Sequence, residues 1–320
     1  MERIGKNLPA RMKAAVVTRY GSPEVIRIME VPLPELKPNM VIVRVEAAAV
    51  NSADARTRAL QAEEPIRTLM RLALGFHRPR QPILGTVYAG TIAAIGKKVH
   101  TFKVGDRVFG ATPGMLFGCH AEYVAVPEES AIALVPEGKD PAEIASLVFG
   151  GTTALFFLER AGAAPGKHVL IYGASGAVGS MALQIAHNLG MHVTGVASAK
   201  NESLVISLGA DQFLDYTQPN FQLPLAEYDL VFDAVGKLPR KLAKRLLRQG
   251  GTYTTVGGAS VSKENKQQLE RLVNWYLSGK LQAVIEARFA FEDIQKAHAL
   301  VDSGHKRGNV ILMMQKEEQQ

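Results

Sequence analysis

Residues 169–180, with the sequence VLIYGASGAVGS, decide the fold of this chain. The first three are apolar and predict a buried strand, and apolar residues return at helical spacing from Met181 onward. Between them lies a tight turn of small residues that contains three glycines: Gly173, Gly176 and Gly179. A strand, a glycine-rich turn and a helix in this order are typical of a dinucleotide site, in which Gly176 lets the backbone approach a pyrophosphate. The alternative is a plain strand–turn–helix unit. A kinase-type phosphate loop is disfavoured, because no Lys-Ser or Lys-Thr follows the glycines.

Composition narrows the class of protein. The 320 residues favour two domains, and 47% apolar and 21% charged residues are ordinary for a soluble protein. Cys119 is the only cysteine, which excludes an intramolecular disulfide and a multi-cysteine zinc site and fits a reducing compartment. No secretory signal and no membrane-spanning run is evident, so we expect a cytoplasmic protein without stable membrane insertion. The net charge of +7 allows an anionic cofactor but does not itself imply nucleic acid.

The first part of the chain has β character. Residues 12–17 and 41–50 predict strands, and residues 82–110 alternate β-forming residues with glycines, as in a barrel-like sheet. Asn51 and Asp54 follow the second strand, either as a helix cap or as a polar cluster at a cleft.

An arginine-rich stretch, residues 56–80, follows. Its apolar residues from Ile66 to Leu74 predict an amphipathic helix. A solvated surface helix is the favoured interpretation; a substrate lid and a membrane-surface helix are the alternatives.

From residue 168 onward, strands alternate with amphipathic helices, which predicts a doubly wound parallel sheet. Residues 237–248 hold six basic residues and no acidic one; without interleaved aromatics they indicate a solvated helix rather than a nucleic-acid patch. The segment after the second strand of this region carries Ser198 and Lys200 and no acid. A hydroxyl and an ammonium suit a 2′-phosphate, so the sequence favours NADPH over NADH, unless Lys200 merely begins the next helix.

Over nearly its whole length the chain resembles the medium-chain dehydrogenase/reductase superfamily, and within it the zinc-free quinone oxidoreductase-like branch. The motifs that carry the resemblance occur in the expected order along the chain. They are Asn51-x-x-Asp54, the GTVYAGTIAAIGKKVHTFKVGDRVFG block (85–110), AEYV (121–124), GTTA (151–154), GASGAVG (173–179), SLGAD (207–211), FDAVG (232–236) and GNVI (308–311).

The resemblance implies an α/β fold made of a GroES-like β-barrel domain and a Rossmann domain with a doubly wound parallel sheet. The catalytic barrel domain would comprise residues 1–136 and 283–320, and the NADP-binding domain residues 137–282. It also implies where NADPH is contacted. The expected cofactor-binding residues are Asn51, Thr153, Ala174, Ser175, Gly176, Ala177, Val178, Ser198, Lys200, Tyr216, Gly257 and Asn309.

The chain departs from related sequences in ways that bear on chemistry. Zinc relatives place a Cys where this chain has Asn51 and a His-Glu pair where it has Thr86 and Val87, so we expect no metal. Many zinc-free relatives carry a Tyr shortly after the Asn-x-x-Asp motif, where this chain has Arg56 and Arg58. The segment after Gly258 is shortened. In relatives it supplies an edge strand used in dimers, so a homodimer is possible but doubtful.

These observations predict an enzyme that transfers a hydride from NADPH to a quinone, enone or other reactive carbonyl acceptor. A donor must stabilise the negative charge that develops on the acceptor oxygen. Asn51 and Arg58 are the predicted catalytic residues and Tyr88 is a weaker candidate, while an ion pair between Arg58 and Asp54 is the structural alternative. The rival functions are a zinc-free NADP-dependent alcohol or ketone reductase and a low-turnover NADPH-binding regulatory protein.

Overall fold

The computed structural model describes residues 8–61, 66–257 and 262–314. Within them the strands form three sheets: a two-stranded hairpin, a seven-stranded sheet and a five-stranded sheet. The expected fold class, a β-barrel unit combined with a parallel α/β sheet, is confirmed.

The barrel unit is built around one long strand, β3, which pairs with β4 on one side and with β6 and residues 310–313 on the other. Its strands are β1 (Arg11–Val17), β2 (Ile26–Pro32), β3 (Met40–Val50), β4 (Val87–Ile95), β5 (Arg107–Ala111), β6 (Tyr123–Pro127) and β7 (Ala131–Leu134). Gly90 is required where β4 crosses β3, because a Cβ at this position would lie 2.1 Å from the carbonyl oxygen of Arg44. Register shifts along the β3–β4 pair accompany this close approach, as expected for a strongly bent sheet.

Two helices overlap the arginine-rich stretch. They are α1 (Ser52–Ala59) and α2 (Ile66–Leu74). On α2, Met70 and Leu74 are half-buried, whereas Leu69 and Leu72 are exposed. The amphipathic helix predicted from Ile66 to Leu74 is therefore confirmed as α2, and residues 52–59 form a separate, capped helix.

The second unit has the strand order β10-β9-β8-β11-β12, and all neighbours are parallel. Its elements are α3 (Pro141–Arg160), β8 (His168–Tyr172), α4 (Ala177–Asn188), β9 (His192–Ala197), α5 (Glu202–Ser207), β10 (Gln212–Asp215), β11 (Tyr228–Asp233), α6 (Arg240–Leu246), β12 (Leu247–Thr255) and α7 (Lys266–Leu277). The order reverses at β8, which places the turn after β8 at the switch point where such sheets bind ligands. The basic residues around α6 are all exposed, so the predicted solvated helix is confirmed.

The chain returns to the barrel at its end. The closing elements are β13 (Ile285–Ala290), α8 (Ile294–Asp302) and β14 (Asn309–Met313). β14 is parallel to β13 and antiparallel to β3, with Val310 opposite Val50. The return agrees with a split barrel domain, whose boundaries at 136 and 283 stay a prediction.

Helix α3 lies between the two units. Asp140 caps it through the backbone N–H of Ala142, at 2.9 Å, and Pro141 occupies its first turn. By length and composition this helix could span a membrane, which corrects the expectation that the chain has no apolar segment of that length. However, 78% of the most apolar part of the helix is buried inside the protein. It is therefore a core helix.

Candidate active site

Asn51 lies where β3 ends and α1 begins. Its Oδ1 accepts hydrogen bonds from the backbone N–H groups of Ala53 (2.9 Å) and Asp54 (3.1 Å), and Asp54 Oδ2 accepts from the N–H of Asn51 at 2.9 Å. This reciprocal arrangement is a capping box. The predicted cap is confirmed, and it fixes the Asn51 side chain in one orientation.

The other end of the Asn51 carboxamide contacts Thr86. Asn51 Nδ2 donates to Thr86 Oγ1 at 3.2 Å. Because this oxygen accepts the amide proton, the hydroxyl hydrogen of Thr86 is left to donate elsewhere. The structure thus joins the two places at which zinc relatives carry ligands and fills them with a neutral amide and a hydroxyl. The sequence analysis did not identify Thr86 as a hydrogen-bond donor. It could have been found from its hydroxyl group, because zinc relatives carry a metal ligand at this position.

Asp54 helps to position both Asn51 and Thr86. It is fully buried, accepts from the N–H of Gly85 at 3.1 Å and lies 4.0 Å from His120 Nε2. Burial raises the pKa of Asp54, opposed by His120 and by the backbone N–H groups of Asn51 and Gly85. Gly85 has φ +88°, and a Cβ there would lie 2.5 Å from the His120 ring. One carboxylate thus holds the start of α1 and the segment that leads to Thr86.

Arg58 does not occupy the predicted place. Its side chain is 1% exposed; Nε donates to the carbonyl of Gly21 at 3.0 Å, and Nη2 pairs with Asp302 at 2.6 Å. Nη1 lies 3.1 Å from Nδ1 of His298 on α8. The predicted ion pair with Asp54 is wrong, because the guanidinium turns toward α8. These contacts give Arg58 a positioning role between α1 and α8 in place of the predicted role at the substrate.

Two further side chains named in the sequence analysis lie inside the barrel. Tyr88 is fully buried, burial raises the pKa of its phenol well above the usual value, and its hydroxyl has no hydrogen-bond partner among the described residues. Val87 is also buried. The structure gives no support to Tyr88 as a donor to substrate.

The glycine turn after β8 has the geometry that phosphate binding requires. A Cβ at Gly179 would lie 2.1 Å from the carbonyl oxygen of Gly173, so the third glycine permits close packing of α4 on the strand. Gly176 is the N-cap of α4, and a Cβ there would meet nothing nearer than 3.6 Å. The space in front of the helix is therefore open to a ligand, and the first N–H groups of α4 face it.

Most of the predicted cofactor-binding residues lie in this turn or at the carboxyl edge of the parallel sheet. Those in the turn itself or at the start of α4 are Ala174, Ser175, Gly176, Ala177 and Val178. Ser198 and Lys200 follow β9, Tyr216 follows β10 and Gly257 follows β12, so all lie at the carboxyl edge of the sheet. Thr153 lies on α3, one turn after Gly150. A Cβ at Gly150 would come within 2.2 Å of the Ala177 carbonyl oxygen, so this part of α3 packs closely on the start of α4.

Asn201 is a residue that sequence reasoning missed. It is buried, and its Nδ2 donates to Ser175 Oγ (3.2 Å) and Ser198 Oγ (3.0 Å), which ties the glycine turn to the end of β9. Its Oδ1 is buried without a hydrogen-bond partner in the part of the chain that the structure describes. A buried, unpaired acceptor costs about 1–3 kcal/mol, so a hydroxyl donor such as a ribose would fit here. The only side-chain signal in sequence was an asparagine directly after Lys200.

The end of β9 carries no carboxylate that faces a ribose. Asp215, at the end of β10, accepts instead from the N–H groups of Ala199 and Thr217, both at 2.9 Å. These hydrogen bonds, led by those from Thr217, lower the pKa of Asp215. Lys200 is exposed beside this turn. The residues present therefore fit a dinucleotide with a 2′-phosphate.

Across residues 8–61, 66–257 and 262–314, no group of three or more His, Cys, Asp or Glu side chains could hold a metal ion. Amide and hydroxyl groups at Asn51 and Thr86 are not the nitrogen and sulfur donors that tetrahedral zinc takes.

A cavity of about 400 Å³ lies beside the ends of β11 and β12. Phe157, Arg240, Tyr253 and Gly257 are among the residues that line it. Its lining includes Gly257, a predicted cofactor-binding residue, but neither Asn51 nor the glycine turn.

Two family models match the chain. The alcohol dehydrogenase GroES-like domain matches residues 37–137, and the zinc-binding dehydrogenase model matches residues 177–303. The first covers the core of the barrel unit, and the second begins at the first residue of α4.

Individual proteins match over most of their length. The chain is 32% identical to 2-methylene-furan-3-one reductase of Solanum lycopersicum and 31% identical to the chloroplastic NADPH-dependent alkenal/one oxidoreductase of Arabidopsis thaliana. Each alignment covers 96% of this chain and 80% of the relative. A solved quinone oxidoreductase from Coxiella burnetii superposes with a TM-score of 0.81 at 26% identity, covering 95% of this chain and all of that one.

Proposed function

Since the chain belongs to the medium-chain dehydrogenase/reductase superfamily, in its zinc-free branch, we propose that it transfers a hydride from NADPH to an enone, quinone or other reactive carbonyl acceptor. The observation that carries the proposal is the hydrogen-bonded pair Asn51–Thr86, which places neutral donors where zinc relatives hold their metal. The names of the relatives from tomato and Arabidopsis both denote reduction of unsaturated carbonyl compounds, which favours an enone or alkenal.

The protein's own groups have definable tasks in this reaction. Bound NADPH supplies the hydride. Thr86 donates its hydroxyl hydrogen to the acceptor oxygen, and Asn51 holds Thr86 and offers its second amide hydrogen, so negative charge developing on that oxygen is stabilised. The N–H groups at the start of α4 hold the pyrophosphate, and Ser198 and Lys200 hold the 2′-phosphate. Water protonates the reduced product.

Two rival functions have distinct requirements. A simple ketone demands a stronger electrophile or proton donor than a neutral amide and hydroxyl provide, which disfavours an alcohol or ketone reductase. A low-turnover NADPH-binding protein would need only the nucleotide groove. The Asn51–Thr86 pair supports turnover over binding alone.

The test is NADPH oxidation followed by nicotinamide absorbance with a panel of enones, alkenals, quinones and simple ketones, with and without a chelator. Turnover of enones or quinones that the chelator leaves unchanged, with NADPH preferred over NADH, is the expected result. Activity that the chelator abolishes would contradict a zinc-independent enzyme. Tight NADPH binding without oxidation by any acceptor would favour the regulatory rival.

We further infer that the chain does not dimerise through its parallel sheet. In the described residues β12 is the last strand of this sheet, and it carries Arg248, Gly250 and Gly251, which suit a solvated edge more than a paired one. Light scattering should give the mass of one chain. A dimer that a proline at Thr254 dissociates would contradict the inference.

A cytoplasmic location remains our expectation, and cell fractionation tests it.

A further inference from the structure

The loop between α8 and β14 reaches across to the glycine turn. The N–H of Gly308 donates to the carbonyl oxygen of Ser175 at 2.8 Å, and Gly308 forms an isolated parallel bridge with Gly176. Gly308 has φ +55°, and a Cβ there would lie 2.1 Å from the carbonyl oxygen of Val284. The path of this loop is therefore fixed, and it forms a second wall beside the open space in front of α4.

Lys306 lies in this loop with little to balance its charge. Its ammonium donates to the carbonyl oxygen of Gly308, a neutral acceptor. Glu286, the carboxylate that acts on this ammonium, already accepts from the backbone N–H (3.0 Å) and Nε (2.8 Å) of Arg307. Burial lowers the pKa of Lys306 to about 8, although Glu286 acts to raise it. A half-buried ammonium with such weak compensation is unfavourable, and an arriving anion would relieve it.

Resting on the function proposed above, we propose that Lys306 binds the pyrophosphate of NADPH, so that the phosphate site is assembled from both units of the fold. The α4 N-terminus supplies N–H groups on one side, and the loop that ends at Gly308 supplies a cation on the other. The pyrophosphate is assigned because the loop is bonded to Ser175 and Gly176. Lys200, after β9, remains for the 2′-phosphate.

The charged groups that face Lys306 set its expected pH dependence. Glu286 on β13 is the carboxylate that acts on it, Arg307 is paired with Glu286, and Lys200 acts on Glu286 from the end of β9. Binding requires the protonated ammonium, and a pyrophosphate diester does not titrate in this range. Nucleotide affinity should therefore fall above pH about 8 and level off at the loss that removal of the ammonium itself causes.

The experiment measures the Kd of the full-length protein for NADPH and NADH by fluorescence titration from pH about 6.5 to about 9.5. Lys306→Met is compared with Lys306→Arg and with Lys280→Met, an exposed lysine far from the loop in sequence. We expect Lys306→Met to weaken both nucleotides about tenfold and to abolish the loss of affinity above pH 8, as for loss of one charge-assisted hydrogen bond. Lys306→Arg should retain most of the affinity at every pH, and Lys280→Met should behave as wild type.

The outcomes separate this proposal from the function it rests on. Unchanged Kd values and an unchanged pH profile in Lys306→Met would overturn it, and a loss confined to NADPH would reassign Lys306 to the 2′-phosphate. Failure of the wild type to bind either nucleotide would instead overturn the proposed function. Thermal melting of the nucleotide-free variants controls for misfolding: Lys306→Met should melt no lower than wild type, because it removes a poorly compensated charge.

Discussion

At the scale of the residue, Asn51 combines a structural task with a proposed chemical one. Its Oδ1 caps α1, whereas its Nδ2 contacts Thr86. The two tasks use different atoms of one carboxamide, so substitutions can separate them.

Asn51→Ser keeps a capping oxygen and loses the amide donor, whereas Asn51→Ala loses both. We expect Asn51→Ser to reduce kcat by about tenfold to a hundredfold with a melting temperature close to wild type, since one stabilising donor is lost. Asn51→Ala should show the same loss of kcat and an unfolding free energy lower by about 1 kcal/mol. Enone turnover and urea denaturation measure the two effects. Full activity in both variants would exclude Asn51 from the chemistry.

Arg58 should matter for stability more than for turnover. Arg58→Met leaves Asp302, His298 Nδ1 and the Gly21 carbonyl without their donor, at a cost of about 2 kcal/mol or more. Arg56→Met, an exposed neighbour on α1, should change stability by less than about 0.5 kcal/mol. Urea denaturation measures both. A large loss of kcat in Arg58→Met at undiminished stability would restore the catalytic role that sequence suggested.

His298 gives the folded protein a distinct pH dependence. Burial, followed by the charges of His120 and Arg58, lowers its pKa well below the usual 6.5, and Nδ1 accepts from Arg58 in the neutral form. As pH falls below about 6.5 the unfolded chain takes up a proton that the folded chain refuses, so stability falls by up to about 1.4 kcal/mol per pH unit. The raised pKa of Asp54 acts in the opposite direction at lower pH.

The contribution of His298 can be isolated with His298→Asn, whose Oδ1 can still accept from Arg58. We expect the unfolding free energy of this variant to fall less steeply between pH 7 and 5 than that of wild type, as measured by urea titrations at each pH. His305→Asn, at an exposed histidine, serves as the control and should keep the wild-type slope. Parallel slopes for all three proteins would contradict a buried neutral His298.

At the scale of the element, α2 buries only part of its apolar surface. Leu69 is 61% exposed and Leu72 51% exposed, while Met70 and Leu74 are half-buried and Leu74 packs against the barrel core. The solvated, lid and membrane-surface interpretations make different demands on the two exposed leucines.

For a solvated helix, Leu69→Ser combined with Leu72→Ser should change stability by no more than about 0.5 kcal/mol each. It should leave the KM for enones and sedimentation with anionic vesicles as in wild type. A raised KM would indicate a lid, and loss of vesicle binding shown by wild type would indicate a membrane-surface helix. Leu74→Ser, on the packed face, should destabilise the protein clearly and serves as the reference.

At the scale of the whole molecule, local sequence patterns predicted most helices and strands. They did not predict which residues far apart in the sequence contact each other. The glycine turn, the capping box and the strands of the parallel sheet each depend on residues that are close together in the sequence. Their spacing in the sequence therefore predicts them. Arg58 could not be placed in this way, because its partner Asp302 is 244 positions away and either of two carboxylates satisfies the same charge. The orphan acceptor on Asn201 is likewise visible only once the turn and β9 have been brought together.

The pairing of β14 with β3 also constrains how the chain is made. Val310 lies opposite Val50, so the barrel sheet receives one of its inner strands only after the whole parallel-sheet unit between them has been synthesised. The five strands of the parallel sheet follow one another in the sequence, so this sheet can assemble earlier. Until β14 is synthesised, part of the edge of β3 stays unpaired. A nascent chain of this protein should therefore depend on chaperones to shield that edge, and loss of the five residues of β14 should be more damaging than their small number suggests.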